Sequence, residues 1–600
     1  MAGSVFKQRW QKVVAICLAA LAVVILAVVL FLNSFLAGRL SGKLKEAVLK
    51  GTDSLYHINF GKANLNIFSG SAVLYDISFT PDTAVYHRMR QSSHDPHSLV
   101  ELKVKRLEVS GVHPLAIWLH KRVEVGLIQL NNPEVYLSKY DDTPHAKKTQ
   151  GNRTLYQKLS KSFKLIHVDN IRLSDITFTY RDKSGSKPSV SVLKEMDVRA
   201  TDLRIDSASQ TDTSRTLYCR NIVTQLKHYT GKAANGLYTY KVAAVKLSTQ
   251  TSRLDIMGLD VQPLAVKEYL AKSRTDRFAL HLEAVTFHHF DYRSYRRRQS
   301  INVRRISLNN GAFNIFSNPN GPLQTTDRLV TFPNWAIRQL KMGLQVDTLD
   351  IKKLDVNYSE FKTEGSRKTG TVRFNAITGR FLNLTNNKML LQKKPLCTVN
   401  LSTLFMGKDR LNLIFGFNLA DAAYSYMYKG HLGAMDMQDA NPAVMPLGLV
   451  KVTSGTVNSL DFDIRGNQHI STGKVTFLYH NLKVEVLKRD DEKGYAKKGL
   501  ISLLANAIIL KSDNPDNGKT IARVADVAFI RPKNYPFFQT IWSALLNGLK
   551  ACAGVGKADE KTKDQPLTQK EQKEKHKAMK KAEKKKEKED KKFKEKLKGS

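Results

Sequence analysis

From about residue 56 to 487 the chain is written mostly in period two. "YHINFGKANLNIFSGSAVLYDISFTPD" alternates apolar and polar residues through Ile58, Phe60, Leu65, Ile67, Val73, Ile77 and Phe79, with Gly61, Gly70 and Pro81 as punctuation. Such alternation puts the apolar side chains on one face of a strand. The style continues in "LVELKVKRLEVSGV", "VEVGLIQLNNPEVYLSKY", "INVRRISLNNGAFNIFS", "TVRFNAITGRFLNL" and "TGKVTFLYHNLKVEVL". Helical periodicity is confined to short stretches (113–121, 155–163 and 264–271), and the polar segments 206–215 and 359–369 read as loops. The pattern predicts a mainly β protein built on a long, curled, mostly antiparallel sheet with few short helices.

One phrase occurs three times: "HVDNIRLSDITFTYRD" from His167, "HLEAVTFHHFDYRSY" from His281 and "QVDTLDIKKLDVNYSE" from Gln345. Aligned without gaps, Val168, Ile171, Leu173, Ile176 and Phe178 match Val346, Leu349, Ile351, Leu354 and Val356, and also Leu282, Val285, Phe287, Phe290 and Tyr292. An acidic residue follows the first apolar one (Asp169, Asp347, Glu283), and a two-residue step interrupts the series: Ser174-Asp175, Lys352-Lys353, His288-His289. A tight hairpin turn at the step puts both flanks on one face. A bulge in one longer strand is the alternative, because no step carries the glycine that hairpin turns prefer. The uneven spacing of the copies argues against a solenoid of fixed period.

Either way, each unit offers one apolar face. That face is the filled core of a β-sandwich, or the lining of a groove that accepts acyl chains. The candidate groove residues are Ile171, Leu173, Ile176, Phe178, Val285, Phe287, Leu349, Ile351, Leu354 and Val356.

Residues 13–32, "VVAICLAALAVVILAVVLFL", contain no polar side chain. At ~1.5 Å per residue this run spans a ~30 Å hydrocarbon core. The apolar region of a cleaved signal peptide is usually only ~7–15 residues long, so 13–37 reads as an uncleaved transmembrane signal anchor between a short N-terminus (1–12) and an amphipathic linker helix (38–55). Lys7, Arg9 and Lys12 precede the span and Arg39, Lys43, Lys45 and Lys50 follow it, so flanking charge leaves its orientation a tie.

At the other end, 535–556 has the pattern of an amphipathic helix, with Phe537, Phe538, Ile541, Trp542, Leu545, Leu546 and Leu549 in one stripe. The stripe packs on the open end of the sheet, or docks on a bilayer or membrane-protein partner through Phe537, Phe538, Ile541, Trp542 and Leu545. A Lys/Glu-rich tail (557–600), disordered or a solvated helix, completes the chain.

The net charge is +41, and the tail holds 18 Lys against 10 Asp plus Glu, so most of the excess lies in the folded body. Such a field favours anionic lipid, acidic polysaccharide or nucleic acid. The basic, Tyr-interleaved run "DYRSYRRRQS" (291–300) reads as a solvated loop or as a phosphate-binding rim beside a lipid groove, with Arg296, Arg297 and Arg298 as candidate head-group contacts. The four cysteines (Cys17, Cys219, Cys397, Cys552) make no CxxC pair. HExxH and GxSxG are both missing from the sequence, the Gly554-Val-Gly556-Lys557 run lacks the upstream glycine of a phosphate loop, and His94, His97, His288 and His289 lack companion ligands at convincing spacing. No catalytic residue, metal or cofactor is expected.

An N-terminal anchor followed at once by "INFGKANLNIFSGSAVLYDISF", and later "KRLEVSGV…VEVGLIQLNNPEVYL", resembles the AsmA family. Residues 430–487 resemble that family's C-terminal region, above all a Ser454-Gly455-Thr456 turn leading into "LDFDI" and Gly473 leading into "VTFLYHNLKVEV". The likeness divides the body into a β-rich repeated region (56–400) and an AsmA-like C-terminal β region (401–534). The resemblance implies a Gram-negative inner-membrane protein with a cytoplasmic N-terminus and a periplasmic body. It also implies a β-groove, phospholipid as ligand, other envelope proteins as partners, and a role in phospholipid transport or outer-membrane biogenesis and homeostasis. Rival expectations are an envelope scaffold with a filled core, and a polyanion-binding protein, although nucleic acid is the less favoured partner.

Overall fold

The computed structural model describes residues 45–554, except 46–47, 50–51, 67–68, 92–97, 114–118, 141–155, 158–159, 161–162, 184–188, 319–325, 361–369, 449, 491–493 and 498–509. The expected membrane span and the Lys-rich tail lie outside the described residues. Among those residues no helix is long and apolar enough to cross a membrane.

β1 (Tyr56–Asn59) and β2 (Ala63–Asn66) lie end to end along β3 (Ser71–Pro81), which pairs with β4 (Ser98–Ser110). β4 carries β5 (Arg122–Asn131) and β6 (Glu134–Lys139), two halves of one line broken at Asn132-Pro133. β7 (Leu165–Asp182) runs parallel to both halves. From there each strand pairs antiparallel with the next through β8 (Ser189–Ile205), β9 (Cys219–Lys232), β10 (Tyr238–Ser248), β11 (Arg253–Pro263), β12 (Arg277–Phe290) and β13 (Ser300–Phe316).

A second parallel junction joins β13 to β14 (Gly343–Glu360). The antiparallel series then resumes through β15 (Gly370–Thr385), β16 (Leu396–Phe405), β17 (Asp409–Asn418) and β18 (Tyr426–Leu432). β18 and the short β19 (Met435–Asp436) share β20 (Val450–Gly466), which pairs with β21 (Ile470–Asp490), and β21 carries β22 (Gly494–Lys497) and β23 (Val524–Ile530). The result is one large mixed sheet. The division expected at residue 400 falls inside β16, and the sheet crosses it without a break.

The steps of the repeated phrase are not hairpins. β7 and β14 run straight through Ser174-Asp175 and Lys352-Lys353, with irregular register at both places. In the third copy, β12 ends just past His288-His289 and Asp291 caps a helix, Tyr292–Arg298, where the basic run was expected to form a loop. The second residue of all three steps has a left-handed backbone: Asp175 φ +57°, Lys353 φ +59°, His289 φ +54°. Likewise Ser454-Gly455-Thr456, read as a turn, is an irregularity inside β20, with Gly455 at φ +135°.

Asp175 and Lys353 belong to a line that crosses the sheet. Asp76, Asn132, Asp175, Glu195, His228, Gly258, Asn310, Lys353 and Ala376 all have φ between +46° and +59°. Neighbouring registers place them at one level: Tyr75, Arg106, Asn131 and Ser174 stand in one row, so Asp76, Asn132 and Asp175 stand in the next. A left-handed residue shifts the strand's period by one position, bends it and adds twist. It also keeps the apolar side chains in phase, so that Ile171, Leu173, Ile176 and Phe178 share a face across the step. A second line lies above the first: Asp202 stands opposite Asp169 on β8, Asn383 opposite Asp347 on β15, and His289 on β12.

The apolar spacing of the repeated phrase is therefore three, two, three residues: one interval of three for each crease. β12 runs opposite to β7 and β14, and because the spacing is palindromic it still matches them (Leu282, Val285, Phe287, Phe290).

A non-glycine residue at positive φ costs roughly 1–2 kcal/mol. Lys353 is exposed, so its backbone state can be tested without disturbing packing. Lys353→Gly is expected to leave stability unchanged or raise it by up to ~1 kcal/mol, whereas Lys353→Val is expected to lower it by ~1–2 kcal/mol. Urea midpoints of the two variants decide this.

Candidate functional site

Because every crease preserves phase, one apolar face continues from β3 to β23. One file across it reads Leu173, Val198, Thr224, Leu247, Leu254, Phe287, Ile306, Leu349, Phe381, Val399, Phe415, Tyr428 and Ile464 by register. The face is not equally covered along its length.

In the first copy of the phrase Ile171, Leu173, Ile176 and Phe178 are 1–3% exposed and belong to a large buried cluster that extends from β3 to β10. In the other copies Val285 and Ile351 are buried, while Phe287, Leu349, Leu354 and Val356 are only half-buried. Half-buried apolar residues dominate the whole stretch from β11 to β17, including Leu254, Ile256, Leu308, Phe374, Phe381, Leu401 and Phe415. The structure thus brings six of the ten candidate groove residues into one half-open trough (Val285, Phe287, Leu349, Ile351, Leu354, Val356) and seals the other four into core.

The C-terminal helix, Phe537–Cys552, closes one end of this trough. Its buried face is Thr540, Ala544, Leu545, Gly548 and Cys552, so small residues bring its backbone close to β21 and β23. A Cβ at Gly548 would fall 2.5 Å from Val475 Cγ2 and 2.9 Å from Val527 Cγ2. The Tyr428 hydroxyl donates to the Ile541 carbonyl oxygen at 2.8 Å, and burial holds this phenol well above its ordinary pKa.

Phe537 sits among Phe332, Phe417 and Tyr426, and the Phe538 ring lies 4.6 Å from that of Tyr358 on β14. Ile541 and Trp542 are half-buried against the same cluster. The five candidate docking residues therefore pack on or beside the sheet.

These contacts require the sheet to curl. β14 and β21 are six pairings apart, ~29 Å across a flat sheet, whereas Phe538 and Gly548 are separated by a rise of about 15 Å. One short helix reaches both strands because the sheet bends round it.

At the strand ends of the sealed stretch, Asp202, Arg215 and His167 form a cluster. Arg215 donates to the Asp202 carboxylate at 2.8 Å and to its carbonyl oxygen at 2.6 Å, and His167 Nε2 lies 3.0 Å from the carboxylate. Burial acts to raise the Asp202 carboxyl, but Arg215 and then His167 outweigh it and hold the pKa below the ordinary range. Arg293, on the helix Tyr292–Arg298, donates to the Arg215 carbonyl oxygen at 3.0 Å. Of the proposed head-group contacts, Arg298 is exposed and donates to Ser294 Oγ at 2.9 Å. Arg296 and Arg297 occupy the same helix, and their side chains lie outside what is described.

Cys219, Cys397 and Cys552 are buried free thiols, and burial pushes the first two up to about 12 and about 11. Such thiols are inert packing groups. Among the described residues no cluster of His, Cys, Asp or Glu is arranged to hold a metal.

An open depression of about 720 Å³ lies on the polar face above β15 to β21. Four of its lining charges pair with each other, Lys429 with Asp463 and His431 with Asp461, both at 2.7 Å. Sequence reading missed it, because Gly379 and Gly430, which thin the sheet there, look like ordinary strand positions.

No protein-family model and no curated protein matches the chain. The likeness to AsmA proteins rests on the quoted phrases alone.

Asp202→Asn is expected to destabilise the protein by about 1 kcal/mol at neutral pH. The folded pKa of Asp202 is lowered, so its contribution is complete above the unfolded value of about 4 and disappears as pH falls through the folded value. Urea titrations of wild type and variant should converge below pH 4 and separate above it.

Proposed function

We propose that this is a membrane-anchored envelope protein that holds lipid acyl chains in the half-open trough and catalyses no reaction. The observation that supports this best is the change of burial along one continuous apolar face: sealed at β3–β10, covered by a helix at β18–β23, and half-open in between. An ordinary sandwich core would be sealed throughout. Each methylene laid against such a surface is worth about 0.8 kcal/mol, so an acyl chain has ample driving force to enter.

The apolar run at 13–37 supplies the anchor. Together with the AsmA-like phrases it supports a Gram-negative inner membrane, a periplasmic body, and a part in phospholipid transport or outer-membrane homeostasis. The open stretch covers six pairings, ~29 Å along the trough, about one bilayer's hydrocarbon thickness. A compartment of that length suits holding and handing over lipid to another envelope protein better than bridging two membranes unaided.

The test is native mass spectrometry of the full chain with lipid extraction. Wild type is expected to retain phospholipid that Leu349→Asp/Val356→Asp loses, with the circular dichroism spectrum unchanged. A well-folded protein whose lipid content does not differ between the two would mean that the face is only core and that the scaffold reading holds. Salt-sensitive binding to acidic glycan or nucleic acid, without lipid, would favour the polyanion reading.

A further inference from the structure

The trough has two mouths, at opposite ends of its strands. One mouth is bordered by three connections: the helix Tyr292–Arg298, the chain entering β14, and the segment from Asn386 to Pro395 around the helix Lys388–Lys393. They are contiguous. Ser300 pairs with Gly343 and Gln345 with Thr385. The Asn386 amide donates to the Met342 carbonyl oxygen at 2.8 Å, and the Asn383 amide to those of Lys394 and Leu396 at 2.8 and 3.0 Å. From β13 to β16 this rim covers three pairings, ~14 Å.

The rim carries Arg293, Arg298, Lys341, Lys388, Lys393 and Lys394, all exposed, with Arg296 and Arg297 on the same short helix. No described carboxylate forms an ion pair with any of the six. The rim's own acid, Asp291, accepts from the Ser294 amide as a helix cap. At the opposite mouth Lys272 pairs with Glu268 at 2.7 Å and Lys408 with Asp439 at 3.3 Å, while the exposed Lys267 and Arg274 form no ion pair with a described carboxylate.

Among these charges stand three exposed apolar side chains: Leu340 at 41%, Met389 at 72% and Leu396 at 42%. Unpaired cations alone suit any polyanion. Apolar tips between them gain energy only where a hydrocarbon interior lies behind the charge, which is the chemistry of an anionic bilayer surface.

We propose that this rim docks on an anionic phospholipid bilayer, with Met389 immersed below the head groups and the lysines and arginines at phosphate level. This opens the trough's mouth onto lipid. The docking goes beyond acyl-chain binding and holds whether or not the trough carries a lipid.

The test uses the full chain, held through its anchor in nanodiscs of neutral phosphatidylcholine, with separate vesicles added. A nitroxide is placed at position 389 (Met389→Cys in a Cys17→Ser background, the other three thiols being buried). Phosphatidylglycerol vesicles are expected to raise the label's contact with oxygen and lower its contact with a water-soluble nickel complex. Neutral vesicles are expected to leave it aqueous. A label at exposed Met257 is expected to stay aqueous with both.

Lys388→Glu/Lys393→Glu is expected to raise the vesicle concentration needed for immersion by roughly 30-fold or more. The Lys-rich tail can tether the protein to anionic vesicles but cannot immerse residue 389. If the protein binds such vesicles while position 389 stays aqueous, the proposal is overturned. Equal immersion in neutral vesicles, or immersion untouched by the charge reversal, overturns it too.

Discussion

The structure depends on keeping a bent strand in phase. A strand that simply curved would keep its alternation, and one that took a single extra residue would turn every later side chain to the wrong face. Here the extra residue adopts a left-handed backbone, and the sequence moves its next apolar residue one place along to match. The same adjustment recurs at one level in strand after strand, so a sheet of more than twenty strands bends along common lines and keeps a single apolar side. Each such residue costs about 1–2 kcal/mol unless it is glycine. Asp and Asn, the residues best suited to that backbone after glycine, occupy four of the nine positions in the central line.

What the apolar side does then depends on what lies over it. Near β7 it is core, with residues almost wholly excluded from solvent. Near β14 the same phrase lines an open surface. Near β21 it is a seat for a helix whose small residues let two backbones approach closely. One local pattern serves three purposes, and coverage, a property of the whole chain, assigns them.

This explains which features were legible in the sequence. Alternation, the repeated phrase and the amphipathic helix near the C-terminus are local and were readable; the helix appears as Phe537–Cys552 inside the expected 535–556. The choice between hairpin and bulge was open because Ser174-Asp175 and Lys352-Lys353 have neither the glycine of a tight turn nor an obvious reason to be left-handed. The interval of three between the flanking apolar residues, Leu173 to Ile176 and Ile351 to Leu354, fits both, since a two-residue hairpin turn also puts its flanks on one face. The parallel junctions at β7 and β14 were invisible, because strand direction is set by crossovers, and a short helical stretch such as 155–163 does not say to which side its chain returns.

The buried face of the C-terminal helix was legible only in part: Leu545 lies on it and Phe537, Ile541 and Trp542 pack beside it, but its small residues were not foreseen. Hydrophobicity points to Phe538 and Trp542, whereas close packing selects Ala544 and Gly548. The basic run at 291–300 looked like a loop because no apolar stripe marks a helix of seven residues.

The palindromic spacing of the creases has a consequence for how such a protein changes length. A strand carrying the three-two-three interval fits the sheet whichever way it runs, so a duplicated hairpin can be spliced in without re-registering either neighbour. Each added pair of strands would lengthen the trough by ~10 Å and leave curvature and lining intact. Reach, in this architecture, is a quantity that gene duplication can adjust in increments.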